Sequence, residues 1–130
     1  MDNFVKVNVN PNDNLAGDCV VRSLTKASGS SWEETFKGLC ELAYEMKYLP
    51  NADEVWKEYA RSIGFEYKAL PKVEKGGKRP IASELSKKLG SGNYILRVSK
   101  HLVASVDGKY YDSWDSGKKP VYGYWEKVVN

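Results

Sequence analysis

The chain has 130 residues, of which 42% are hydrophobic and 28% charged, and its net charge is +3. This length is typical of one domain with a buried core, so we predict a single domain over residues 1–130. Four tryptophans and nine tyrosines exclude a disordered chain, and the small, dispersed positive charge argues against nucleic-acid binding. With no run of ~20 apolar residues and no N-terminal signal pattern, we expect neither a membrane span nor secretion.

The first half of the chain predicts mainly helices. Residues 4–10 alternate apolar and polar side chains as a short strand does, and a turn-rich stretch follows. Asp18 stands where an N-cap is expected before a helix over residues 19–27. Ser31 and Glu34 have the spacing of a capping box for a second helix, and a third helix over residues 52–64 ends at Gly64.

The second half of the chain predicts one more helix and a group of strands. Residues 65–70 are strand-like, residues 71–80 form a loop, and a helix over residues 81–90 ends at a glycine. Four strands are then expected within residues 93–100, 101–106, 109–114 and 120–128, because these stretches are rich in Tyr, Val, Ile and Trp. We therefore predict an α+β fold with N-terminal helices packed on a C-terminal antiparallel sheet.

The two cysteines, Cys19 and Cys40, are too few for a disulfide framework. No Cys-x-x-Cys pair or Cys/His cluster indicates zinc, so we expect no metal and no cofactor, and a reducing, cytoplasmic setting. Cys40 shares a helical apolar face with Phe36, Leu39, Ala43 and Met46, which favours a packed structural thiol.

Cys19 stands at the first position of a predicted helix. Unpaired backbone N–H groups and the positive end of the helix dipole favour the thiolate there, and the thiolate is the reactive form of cysteine. Cysteine also packs well as a small buried hydrophobe. The local sequence leaves both interpretations open.

His101 is the only histidine of the chain, and it begins a predicted strand. If Asp107-Gly108 forms a two-residue hairpin turn, His101 and Asp112 are diagonal neighbours on one sheet face, within side-chain reach. A three-residue turn would instead place Asp115 opposite the histidine. Cys19, His101 and Asp112 are thus the candidate catalytic residues, with Asp115 as the reserve acid; a strand-end histidine bonded to loop backbone is the structural alternative.

A site that cleaves acyl bonds also needs donors for a developing oxyanion. The backbone N–H of Cys19 is one candidate. An upstream side-chain amide would be the second, with Asn14 the best placed and Asn12 also possible. Asparagine is common in turns, so a purely structural role remains open for both.

These features resemble the papain-like cysteine peptidase superfamily. In that fold a cysteine begins an early helix, and a histidine and an Asp or Asn follow on adjacent strands, the order found here. The stretch "AGDCVVRSL" is similar to the ovarian-tumour deubiquitinase signature, in which Gly17, Cys19, Arg22 and Leu24 match and Ala16 replaces an aspartate. The stretch "HLVASVDGKYYDSW" is similar to double-glycine leader peptidases, although Asp13 stands where their oxyanion glutamine is expected.

The resemblance implies a cysteine-dependent hydrolase that acts on peptide, isopeptide or other acyl bonds of a protein or peptide substrate. The alternative is an inactive papain-like fold that serves as a protein-binding or inhibitor module, with its many strand aromatics as interface anchors. Small, helix-rich chains of this kind also resemble proteins of phages and mobile elements.

Overall fold

A computed structural model describes residues 2–14, 17–71 and 73–128. Over these residues the chain forms four helices and six strands, the α+β class expected from the sequence. In chain order they are β1 (Phe4–Lys6), α1 (Cys19–Ser28), α2 (Trp32–Met46), α3 (Asp53–Ser62), β2 (Phe65–Ala69), α4 (Ala82–Leu89), β3 (Asn93–Val98), β4 (His101–Val106), β5 (Lys109–Asp112) and β6 (Gly123–Lys127). Ala16 of the cysteine motif and Lys72 of the predicted loop lie outside the described residues.

The six strands form one mixed sheet in the order β1-β5-β4-β3-β6-β2. All neighbouring pairs are antiparallel except β1 and β5, which run parallel, with Phe4 opposite Tyr110. The prediction of an antiparallel sheet is therefore correct for four of the five pairs and wrong at the β1 edge. The N-terminal strand joins the sheet because it pairs with a strand formed near the other end of the chain.

Helices cover both faces of the sheet. The helices α1 and α3 pack on one face and α2 packs against both of them, and Leu24, Leu39, Trp56, Ile95, Leu102 and Ala104 are among the residues buried there. The single helix α4 covers the other face, where the buried residues include Ala82, Leu85, Leu96, Val98, Val103 and Tyr110. A strand that is buried on both faces needs apolar side chains at consecutive positions, which explains the run Leu102–Ala104 in β4.

The helix ends follow the sequence pattern, with one exception. The Ser31 hydroxyl accepts a hydrogen bond from the Glu34 N–H at 3.1 Å, so the predicted cap of α2 is confirmed. Asp18 occupies the N-cap position of α1, but its side chain makes no capping hydrogen bond. None of the helices within the described ranges is both long and apolar enough to span a bilayer.

The β4–β5 hairpin fixes the register that matters for the site. Val106 pairs with Lys109 and Ala104 with Tyr111, so the connection is the predicted two-residue turn. Asp107 and Gly108 both have positive φ, 51° and 83°, as a type I′ turn requires. Asp112 therefore ends β5 on the strand next to His101, the first residue of β4.

Candidate active site

The Cys19 side chain lies half-buried at the start of α1, the helix that packs on β4. Its sulfur is hydrogen-bonded to the His101 ring and to the backbone N–H of Leu102. The helix thus brings a thiol from the N-terminal half of the chain onto the first two residues of a sheet strand. Cys40 is also a free, half-buried thiol and lies on α2.

The imidazole of His101 joins the thiol to a carboxylate. Its Nε2 lies 2.6 Å from Oδ2 of Asp112, whose residue is only 7% exposed. Since Nε2 is occupied by the carboxylate, Nδ1 is the ring nitrogen available to the Cys19 sulfur. The Trp114 ring lies over the imidazole with 5.0 Å between ring centroids, which shields the pair from water. The structure thus brings together the three candidate residues, His101 and Asp112 from the hairpin register and Cys19 from the helix start.

Further donors hold the Asp112 carboxylate. The hydroxyl of Ser116, a buried residue, donates to Oδ2 at 2.6 Å, and the backbone N–H of Ser113 donates to Oδ1 at 2.8 Å. On the main chain, the Val7 N–H donates to the Asp112 carbonyl at 2.9 Å. A carboxylate with several donors has its orientation fixed, and it fixes the histidine in turn.

The reserve acid, Asp115, binds groups other than His101. Its Oδ1 accepts hydrogen bonds from the Tyr110 hydroxyl at 2.5 Å and from the Gly117 N–H at 3.0 Å. These bonds lower the pKa of Asp115, the tyrosine contributing most. The two-residue turn therefore gives His101 the carboxylate of Asp112, and Asp115 stabilises the loop that follows β5.

The electrostatics of the site favour an ion pair between Cys19 and His101. Burial by itself raises the pKa of the Cys19 thiol, but hydrogen bonds from His101 and Leu102 and the charges of His101 and Arg22 lower it overall. Burial by itself lowers the pKa of His101, yet hydrogen bonds to Asp112 and Cys19, together with their charges, raise it to about 9. A thiolate beside an imidazolium is the reactive form of a cysteine nucleophile.

The Asp18 side chain does not cap the first turn of α1. Its carboxylate pairs with the Arg22 guanidinium, with Nε 2.7 Å from Oδ1, and accepts a hydrogen bond from Trp32 Nε1 at 2.9 Å. Because this side chain does not cap the helix, the backbone N–H groups of Cys19 and Val20 have no side-chain cap. Such N–H groups next to a nucleophile are suitable oxyanion donors.

Cys19 and His101 open onto a cavity of about 290 Å³. The other lining residues are Gly17, Val20, Asn51, Asp53, Trp56, Arg97, Lys100 and Leu102. Asn14 and Asn12 are exposed, and neither lines this cavity; their backbone N–H groups bond instead to Asn10 Oδ1, at 3.4 and 2.9 Å.

Asn51 is a lining residue of the cavity that carries a side-chain amide, and sequence reasoning missed it. It lies in the connection between α2 and α3, and only the packing of these helices on the sheet brings this connection to Cys19. Nothing in the local sequence signals this approach. Within the described ranges, no cluster of three or more His, Cys, Asp and Glu side chains has the arrangement of a metal site.

Comparisons of this chain with protein-family models, with curated proteins and with solved structures found no match.

Proposed function

We propose that this protein is a cysteine-dependent hydrolase of peptide, isopeptide or related acyl bonds, with Cys19, His101 and Asp112 as its catalytic triad. The observation that carries the proposal is the unbroken contact between these residues. A thiol at a helix N-terminus is hydrogen-bonded to an imidazole, which is itself bonded to a buried carboxylate at 2.6 Å. Nucleophile, base and orienting acid are the parts that acyl transfer requires.

The mechanism starts from the thiolate–imidazolium pair. The Cys19 sulfur attacks the substrate carbonyl and forms a tetrahedral intermediate, and His101 then gives its proton to the leaving nitrogen. The neutral imidazole next takes a proton from water, which attacks the thioester and releases the acid and the free thiol. Asp112 keeps the ring oriented and stabilises its charged form throughout.

The oxyanion is stabilised by the backbone N–H of Cys19 and a side-chain amide. Asn51 lines the cavity that contains Cys19, so we assign this amide to Asn51 in preference to Asn14. The positive charge of Lys100, which lines the same cavity, adds to the favourable field for a developing negative charge, whereas Arg97 is paired with Asp53.

The fold supports a papain-like assignment within this proposal. The nucleophile begins α1, this helix packs on β4, and the histidine and acid are on the antiparallel neighbours β4 and β5. A reducing compartment such as the cytoplasm is part of the proposal, because a reactive thiolate stays free there. The expected substrate is a protein or peptide.

Alkylation tests the nucleophile directly. We expect iodoacetamide to modify Cys19 at pH 7 at least about ten times faster than Cys40, since only Cys19 has an ion-pair partner. His101→Ala should remove this difference, whereas Asp115→Asn should not. Equal rates for the two thiols in the folded protein would contradict the enzyme and favour the inactive binding module.

A further inference from the structure

A second, larger groove lies beside the catalytic cavity. It has a volume of about 1190 Å³ and is formed by residues of α2, α3, β2, β3 and β6 and of the chain before β6. Asp53 and Arg97 line both the groove and the cavity. Their side chains form an ion pair, with 3.0 Å between the Arg97 guanidinium and Asp53 Oδ2. This ion pair therefore lies at the boundary between the groove and the cavity of Cys19.

The floor of the groove is apolar and aromatic. Leu42, Met46, Phe65, Tyr67 and Trp125 contribute to it. The Tyr67 ring packs against Trp125 at 4.8 Å between centroids, yet Tyr67 is 55% exposed. Aromatic surface left open to water in a concave site is typical of a binding surface.

The rim of the groove carries both signs of charge. Glu54 and Glu58 stand beside Lys57 and Arg61, and Glu58 pairs with Arg61. A mixed rim does not fit a nucleic acid, which requires a mainly basic surface. It also fits a fatty acyl chain poorly, because an alkyl tail gains most from a closed apolar tunnel. A polypeptide satisfies both features, since it presents apolar side chains on a polar main chain.

We propose that this groove binds a large apolar side chain, aromatic or branched aliphatic, of a polypeptide substrate whose scissile carbonyl lies at Cys19. Tyr67 is the specificity-determining residue, because its ring forms an exposed part of the groove floor. This inference rests on the proposed cysteine hydrolase function and names the substrate class of the same site. The Arg97–Asp53 pair lies where the substrate main chain crosses from groove to cavity and offers it a donor and an acceptor.

Peptidyl vinyl sulfones test the groove. The thiolate adds to the β-carbon of the vinyl group and the α-carbon takes a proton from His101, so the probe labels Cys19 without an added reagent. A set of N-acetyl tripeptide probes would carry phenylalanine at one of three positions and glycine at the other two. We expect one phenylalanine probe to label Cys19 at least about tenfold faster than the all-glycine probe, a preference typical of a filled apolar pocket.

Substitutions test whether Tyr67 causes the preference for the phenylalanine probe. Tyr67→Ala should reduce the advantage of the phenylalanine probe over the all-glycine probe at least about fivefold. Tyr44→Ala is the matched control, because Tyr44 is an exposed tyrosine of α2 that does not line the groove. Circular dichroism spectra of both variants confirm that each is folded.

The outcomes separate the two proposals. Slow alkylation of Cys19 by iodoacetamide overturns the hydrolase and the groove inference with it. Fast alkylation with equal labelling by all vinyl sulfones overturns the groove inference alone. Two other results also overturn it. If a long-chain acyl chloromethyl ketone labels Cys19 faster than any peptide probe, the groove holds an alkyl chain. If light scattering shows a dimer that Tyr67→Ala dissociates, the groove holds a second copy of the chain.

Discussion

The imidazole of His101 and the carboxylate of Asp112 meet at 2.6 Å across the β4–β5 hairpin, although 11 positions separate the two residues along the chain. The tight Asp107-Gly108 turn sets the register of the two strands, and the pleat places both side chains on one face. The proposed catalytic pair is thus built from a local feature of secondary structure. Only Cys19 has to come from a distant part of the chain.

Replacing Asp112 by asparagine should weaken the ion pair of Cys19 and His101. Without the carboxylate charge, the pKa of His101 should fall from about 9 towards 6.5, and the pKa of Cys19 should rise. We expect the rate of Cys19 alkylation at pH 7 to drop about tenfold, since each pKa unit changes the thiolate fraction about tenfold. Asp115→Asn is the control and should leave this rate within about twofold.

The pH profile of hydrolysis should be bell-shaped in the unmodified protein. The acid limb reports ionisation of Cys19, whose pKa lies below its usual 9.0, and the alkaline limb reports loss of the His101 proton near pH 9. In Asp112→Asn the alkaline limb should move down by at least about one unit. An alkaline limb that stays in place would show that Asp112 does not control the histidine.

The stability of the fold should depend on pH through His101. Its pKa is raised from 6.5 to about 9, so its contribution is fully present below pH 6.5 and is lost as the pH rises through about 9. The lowered pKa of Cys19 acts in the opposite direction, and its contribution is lost as the pH falls.

Cys19→Ser removes this opposing effect. We expect the free energy of unfolding of Cys19→Ser to fall by about 1–3 kcal/mol between pH 6 and pH 9.5, more steeply than that of the unmodified protein. Urea titrations at several pH values measure it. The double variant Cys19→Ser, Asp112→Asn should be nearly flat, and an equally steep decline there would mean that another group titrates.

The assignments of Asn51 and of Asn14 as the oxyanion donor predict different effects of their substitution on kcat. Both asparagines are exposed, but Asn51 lines the cavity of Cys19 and Asn14 does not. We expect Asn51→Ala to lower kcat at least about tenfold on a peptide or acyl substrate, because one oxyanion donor is typically worth two to three orders of magnitude. Asn14→Ala should change kcat less than about twofold. The reverse order would restore the sequence-based assignment of Asn14.

Ser116→Ala should destabilise the protein. The Ser116 hydroxyl is buried and donates to Asp112 at 2.6 Å, so its removal leaves a buried carboxylate with one donor fewer. We expect the free energy of unfolding to fall by about 1–3 kcal/mol. Ser62→Ala, which removes an exposed hydroxyl at the end of α3, should cost less than about 0.5 kcal/mol. Similar losses in the free energy of unfolding for both variants would show that the Ser116 hydroxyl contributes no more than an exposed one.

Local features of the sequence predicted much of the site. The start of α1 at Cys19 and the register of His101 and Asp112 follow from a helix boundary and a two-residue turn, both of which depend on neighbouring residues. The parallel pairing of β1 with β5 and the approach of Asn51 to Cys19 depend on contacts between distant segments, which no local pattern records. Asp18 shows how other side-chain contacts compete with helix capping. Its carboxylate binds Arg22 and Trp32, although the sequence pattern predicted a cap.

The parallel pairing of β1 with β5 has a consequence for the order of folding. Phe4 is synthesised well before its partner Tyr110, so closing this edge requires a very long loop. The same edge supplies the Val7 N–H that binds the Asp112 main chain. A ribosome-bound chain that lacks β5 has Cys19 but neither Asp112 nor this edge, so the proposed nucleophile gains its full reactivity only after β5 has been synthesised and paired.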